Sequence, residues 1–335
     1  INQKATLYLL AFPIGLMGVV QLVFALLSGL VFSDGEVIDF LDPAVAMLIM
    51  AGFCLMLGRR FGVERISYRD SLLFAVLTWV SLGFLGAVPI ITITGVSFAD
   101  GVFESISALT TTGATVLSGL DSLPPSFLMY RQFLQWMGGL GVVLFVVAVL
   151  PMLNIGGMKL MKAEAAGPIK DDKVSPRVAN TAHSLWGVYL LLTLMCALAY
   201  WLCGMSPYDA IAHSFTTVST GGFSTHDASM GFFSNPWTLV VSDIFMLLGA
   251  ISFSLHFRAW SNHSPGYYWK DEETRYFLLV VILLSLLIGL MLLDHDLYTD
   301  PLEALNQSFF HLISFITSTG FGADSFTSWP SIEVF

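Results

Sequence analysis

"ALTTTGATVLSG", residues 108–119, decides how the chain is read. It lies between two long apolar segments, yet it is rich in hydroxyl side chains and carries two glycines. It lacks a sustained helical apolar face, and Thr111, Thr112 and Gly113 suit exposed backbone better than a packed core. Such a stretch in a hydrophobic chain calls for a specific reason.

The surroundings supply it. Hydrophobic residues make up 56% of the chain and charged residues only 11%, against about 25% charged in a soluble domain. Apolar segments of about 20 residues recur, each long enough to cross a hydrocarbon layer of roughly 30 Å. Their pattern predicts seven spans, at about 5–32, 42–58, 71–95, 130–152, 184–204, 236–257 and 276–294. This is the pattern of a polytopic membrane protein, and nothing in it suggests nucleic-acid binding.

Basic residues give an orientation. Arg59, Arg60, Arg65 and Arg69 fall between spans two and three, Lys159, Lys162, Lys170, Lys173 and Arg177 between four and five, and Arg258, Lys270 and Arg275 between six and seven. Every second connection is basic, which places those connections and the N-terminus, with Lys4, in the cytoplasm. The other connections hold Asp34, Glu36, Asp39, Asp42, Asp100, Asp121, Asp209, Asp227, Asp294, Asp296, Asp300 and Glu303. The net charge of −10 thus concentrates on the outer face. Either that acid gathers cations there or the outer loops simply lack Lys and Arg. Cys54, Cys196 and Cys203 lie in apolar spans without metal-ligand spacing and read as packing residues.

Three outer segments align on one glycine each: "DGVFESISALTTTGAT" on Gly113, "DAIAHSFTTVSTGGFS" on Gly222 and "QSFFHLISFITSTGFG" on Gly320. Thirteen residues earlier stand Asp100, Asp209 and Gln307, and nine earlier Glu104, His213 and His311. Six earlier stand Ser107, Thr216 and Ser314, and three earlier Thr110, Ser219 and Thr317. Each segment follows an apolar span. The unit reads as span, outer half-helix, Thr/Ser/Gly strand, span. A half-helix of about 12 residues covers roughly 18 Å and reaches about mid-membrane. Asp100, Asp209 and Asp300 suit helix beginnings. Beyond the glycine the chain returns outward without regular hydrogen bonding, which at membrane depth requires a protein interior or a watery cavity.

A Thr/Ser/Gly run can turn its carbonyl oxygens toward an axis, and rings of such carbonyls replace the hydration shell of a monovalent cation. Glycine serves by adopting φ > 0. An ordinary helix C-cap explains many single glycines, whereas three registered copies favour pore lining.

The segments "ESISALTTTGATVLSGLDSLP", "RQFLQWMGGLGV", "IGGMKLMKAEAAGPIKDDK" and "HSFTTVSTGGFSTHDAS", with "WPSIEVF" more weakly, resemble the superfamily of Trk, Ktr and HKT potassium transporters, and within it the TrkH branch, over about residues 40–330. The resemblance implies an all-α integral membrane protein of repeated span–pore-helix–span units, potassium-channel-like, around a pseudo-fourfold pore. It implies potassium uptake as the function, with potassium as transported ligand and no covalent cofactor. The filter residues it implies are Thr111, Thr112 and Gly113, then Thr220, Gly221 and Gly222, then Ser318, Thr319 and Gly320. Glycine at position 113 goes with potassium preference in that family, serine with sodium. A homodimer in the bacterial inner membrane is also implied, with a cytoplasmic, TrkA-like nucleotide-binding regulatory subunit meeting Lys170, Asp171, Asp172 and Lys173.

The organisation expected is an N-terminal two-helix segment (1–70), a first pore repeat (71–152), a cytoplasmic loop (153–183), a second repeat (184–257), another loop (258–275) and a third repeat (276–335) that stops after its filter. With only three of the family's four repeats, and Ile1 in place of Met, a truncated chain or fragment is expected. A non-conducting structural subunit is then the alternative. "GAISFSLH" at 249–256 departs from the family's Gly-Gly-x-Asn pattern at Ala250 and Ser252.

Among the remaining residues, Asp243 reads as functional or as paired at the outer interface, and Gly138, Gly139 and Gly141 as close helix packing. Glu104, His213 and His311 read as ties between each pore helix and its neighbours, and Arg131 as snorkelling to the outer interface. An intramembrane aspartyl protease is the rival from another class. Its two aspartate contexts are met only by Tyr208-Asp209 and an over-long "GFGAD" at 320–324, both outside the required depth. The chain is not expected to be an enzyme.

Overall fold

The computed structural model describes residues 3–59, 68–141, 178–325 and 329, and the regular elements among them are helical. Among the described residues, five helices are long and apolar enough to cross a membrane, and a sixth crossing arises if one bent pair counts as a span. The all-helical membrane class is the one observed. The fourth expected span is described only to Gly141. Arg60, Arg65 and the stretch 142–177, with Lys159, Lys162, Lys170, Asp171, Asp172, Lys173 and Arg177, lie outside the described residues. The chain divides into two units, residues 1–110 with 122–186, and residues 111–121 with 187–335.

The first unit holds α1 (Gln3–Leu27), α2 (Val37–Arg59), α3 (Tyr68–Thr94), α4 (Phe98–Leu109) and α5 (Pro125–Gly139). Its helices approach through small residues. A Cβ on Gly18 would stand 3.1 Å from the Ala44 carbonyl oxygen, and Cβ atoms on Gly83 and Gly86 would crowd Ile106 and Ser105. Bare backbone allows the close contact that helices in lipid need, because the hydrophobic effect does not drive them together there. At the centre, buried Gln21 donates to the Tyr130 hydroxyl, which donates to the Gly86 carbonyl. Phe24 and Phe40 meet the Tyr130 ring edge-on.

α1 loosens into a π turn over Ser28–Phe32. There Ser28 donates to Asp34, whose other oxygen accepts from the Ser126 amide at the start of α5. Pro124 at the N-cap supplies no side-chain cap, so Asp34 fills that role from a distance. Partial burial pushes the Asp34 carboxyl up, but the bonds from Ser28 and Ser126 outweigh it and hold the group below its ordinary value.

The second unit holds most of α6 (Val178–Leu202), then α7 (Pro207–Val218), α8 (Pro236–Ala250), α9 (Phe253–Ser261), α10 (Gly266–Lys270), α11 (Glu272–Asp294) and α12 (Pro301–Ile316). Buried Tyr200 of α6 hydrogen-bonds Thr217 of α7 at 2.7 Å and Ser242 of α8 at 2.9 Å, joining three helices at one hydroxyl.

The expected span 236–257 is not one helix. α8 and α9 meet at 93° across Ile251 and Ser252. His256 holds the bend. Its Nε2 lies 2.8 Å from the Leu248 carbonyl oxygen, which can only accept, so Nε2 carries the hydrogen and Nδ1 accepts from the Tyr268 hydroxyl. One ring thereby satisfies a carbonyl that the helix end leaves without an intrahelical partner.

Candidate functional site

Three short helices lead into three turns built alike. α4 and α7 have 12 residues each and α12 has 16. Ser97 accepts from the Asp100 amide and donates to its carboxylate, and Ser206 does the same with Asp209. Asp300 accepts from the Leu302 amide. Each helix thus begins with a cap and at least one acid where its amides are unsatisfied, and all three aspartates stand where the sequence put them.

The helices end with Thr110, Ser219 and Thr317 as C-caps. Beyond each, one backbone pattern recurs. Thr111 (φ 52°) and Gly113 (φ 76°) are left-handed, as are Thr220 (52°) and Gly222 (81°), and Ser318 (57°) and Gly320 (82°). Thr112, Gly221 and Thr319, between them, are not. An alternation of this kind lets successive carbonyl oxygens of a strand face the same side. A left-handed residue other than glycine costs about 1–2 kcal/mol, so its recurrence at one register in three copies requires enforcement. In the second and third copies that enforcement is visible. The amides of Gly221 and Thr319 turn back at 2.8 Å onto the carbonyls of Thr216 and Ser314, each six residues before its glycine.

The nine expected filter residues, Thr111–Gly113, Thr220–Gly222 and Ser318–Gly320, all belong to the second unit, and their backbones converge. A Cβ on Gly113 would overlap the Gly221 carbonyl oxygen and stand 3.3 Å from that of Thr319. A Cβ on Gly222 would overlap the Thr319 oxygen. The glycines of the first two strands therefore each face the carbonyl that precedes the next strand's glycine, whereas a Cβ on Gly320 would meet nothing within 4 Å. Small size, as well as φ, dictates glycine at 113 and 222.

The residues nine before the glycines are all buried. Glu104 pairs with Arg131 of α5 at 3.0 Å, both wholly buried. Arg131 therefore does not reach an interface, because its charge is balanced inside the first unit. His213 Nδ1 donates to the Asp209 carbonyl, leaving Nε2 to accept from Ser224, two residues past Gly222. His311 Nδ1 donates to the Gln307 carbonyl, and its ring packs edge-on against Trp329.

Glycines also seat the helix ends. A Cβ on Gly138 would overlap the carbonyl of Leu109, and one on Gly249 would stand 2.6 Å from the carbonyl of Val218. Leu109 and Val218 lie four residues before Gly113 and Gly222. Asp243 is buried, and its Oδ1 has no hydrogen-bond partner among the described residues, so the interface pairing considered for it is not formed. The three cysteines are free thiols.

Sequence reading missed the left-handed Thr111, Thr220 and Ser318, naming them only as carbonyl donors. The signal was a hydroxyl side chain in all three copies two residues before the glycine. Such side chains bond nearby backbone in non-helical conformations, as Thr220 does to the Ser219 carbonyl at 2.7 Å.

The model of the family described as TrkH, cation transport protein, matches residues 43–335. The Trk system potassium uptake protein TrkH of Vibrio parahaemolyticus is 46% identical over 321 residues, covering 95% of this chain and 66% of that protein. The protein of the same name in Escherichia coli K12 is 44% identical over 306 residues, covering 91% of this chain and 63% of its own length. The crystal structure of the potassium transporter TrkH from Vibrio parahaemolyticus superposes with a TM-score of 0.86 at 41% identity, over 99% of this chain and 68% of that one. The chain thus spans about two thirds of the length of the relatives it matches. With that match over most of its length, the chain belongs to the TrkH family of cation transport proteins.

Proposed function

We propose that the chain contributes to a membrane pore that passes potassium, dehydrating the ion on backbone carbonyls of Thr111–Gly113, Thr220–Gly222 and Ser318–Gly320. The observation that carries this reading is the triple left-handed alternation at one register, with each of the first two glycines set against the next strand's carbonyl. A carbonyl ring selects by replacing the hydration shell of its ion. The helices α7 and α12 end at their strands, so their negative dipole ends favour a cation there. The named relatives are potassium uptake proteins of Trk systems, which supports potassium as the ion.

The same reading puts the N-terminus and the basic connections in the cytoplasm of a bacterial inner membrane, and it keeps the domain limits given above. A homodimer, with a nucleotide-binding regulatory subunit meeting the cytoplasmic stretch 159–182, completes the assembly by family resemblance.

The test is rubidium against sodium uptake by proteoliposomes holding the full-length protein, beside Gly113→Ser. Rubidium uptake that potassium blocks, with selectivity relaxed by the serine, supports the filter. Intact protein without flux, or flux indifferent to Gly113, sinks it and leaves a structural role for the three strands.

A further inference from the structure

Beyond the filter, the strands that follow Gly113 and Gly222 are joined by one imidazole. His226 Nδ1 lies 2.5 Å from Asp121 Oδ1, and Nε2 lies 3.3 Å from Asp209 Oδ1 at the start of α7. The second contact is an electrostatic one that lacks hydrogen-bond alignment. Asp209 Oδ1 also accepts from Thr225 at 2.8 Å. The Asp227 amide donates to Asp121 Oδ2, and the Gly119 amide donates to Asp227. The ring lies flat on Phe232, with centroids 3.5 Å apart, and Phe233 meets it edge-on. The titratable groups around it are therefore Asp121 from the strand after Gly113, Asp209 and His213 from α7, and Asp227 from its own loop.

A neutral imidazole has one N–H and one lone pair. With a carboxylate oxygen at each nitrogen, the neutral ring must aim that lone pair at an anion. The imidazolium instead donates to Asp121 and sets its positive charge against Asp209 as well. We propose that His226 is a positioning residue which, as the imidazolium, clamps the two outgoing strands together, so that protons at this mouth of the pore set how well the filter discriminates among ions. The proposal rests on the potassium reading above for its consequence, though the clamp itself stands on the geometry of these four residues. Loss of the proton removes the positive charge between the two carboxylates, and the strand carrying Gly119 and Asp121 is then held less tightly to its neighbour.

The test uses the full-length protein, His226→Gln and His226→Arg, across the histidine range of about pH 5 to 8. Thermal unfolding in detergent and rubidium-over-sodium selectivity in proteoliposomes are both followed. The wild type is expected to lose unfolding temperature as pH rises, and its selectivity to fall about tenfold, as for one charged hydrogen bond lost. His226→Gln should be low and flat in both measurements, and His226→Arg flat as well because its cation does not titrate. The arginine variant keeps the test decisive if the glutamine variant does not fold.

A wild-type pH profile retained in either variant overturns the clamp. Selectivity that ignores pH while unfolding temperature follows His226 overturns the positioning role. A wild type that transports neither ion, yet whose unfolding still follows His226, overturns the potassium reading and supports the clamp.

Discussion

Gly138 sits so closely beneath the carbonyl of Leu109 that a single methyl group on it would overlap the carbonyl oxygen. Gly249 stands in nearly the same relation to Val218. In both cases the last residue of a short helix rests on bare backbone of the helix that follows its strand.

Gly138→Ala is therefore expected to destabilise the protein by about 1–3 kcal/mol, the range for an overpacked interior. Gly187→Ala in α6 is the control, because a Cβ there meets nothing within 4 Å and helix propensity alone favours alanine by roughly 1 kcal/mol. Detergent-solubilised unfolding temperatures should move in opposite directions. A Gly138→Ala protein as stable as the parent would refute the close seat.

Gly222→Ala combines a left-handed backbone at φ 81° with overlap on the Thr319 carbonyl. Loss of rubidium-over-sodium selectivity is expected with protein abundance in the membrane largely kept, since the damage is confined to the strand tips. Unchanged selectivity would show that the Thr319 carbonyl does not face the permeating ion.

The Glu104–Arg131 pair should behave asymmetrically. Glu104→Leu alone strands a buried guanidinium and is expected to cost about 3–5 kcal/mol, whereas Glu104→Leu with Arg131→Met should recover most of that loss. A double-mutant cycle on unfolding temperature measures it. Additive single effects would mean that the two charges do not depend on each other.

In the loop after the first strand, the hydrogen bond from His226 holds the Asp121 carboxyl below its ordinary value. A depressed acid contributes stability that is present above the unfolded value, about 3.9, and is lost as pH falls through the folded one. Acid titration of unfolding temperature between about pH 5 and pH 3 should thus show a decline that Asp121→Asn flattens. An identical decline in that variant would place the acid sensitivity elsewhere.

Much of this was legible before any coordinates. The three-copy register carried the half-helices, the capping positions of Asp100, Asp209 and Asp300 and the glycines at positive φ, because caps and left-handed glycines have residue-specific signatures that need no tertiary information. The break between α8 and α9 did not show. "ISFS" continues an apolar run without proline, and the bend depends on a histidine reaching eight residues back to Leu248. Arg131 was misplaced for a similar reason: a partner 27 residues away in sequence cannot be inferred from the edge of an apolar span. The left-handed threonines were hidden because threonine rarely adopts that conformation unless its surroundings force it.

The contact between the amide just before the glycine and the carbonyl six before it has a practical consequence. It recurs at Gly221 and Thr319 although one residue has no side chain and the other a branched one. This turn is thus built from peptide groups, and alanine scanning at those positions would pass over it. Replacing single amide links by esters, which deletes the N–H and weakens the carbonyl while leaving every side chain intact, is the chemistry that would read it.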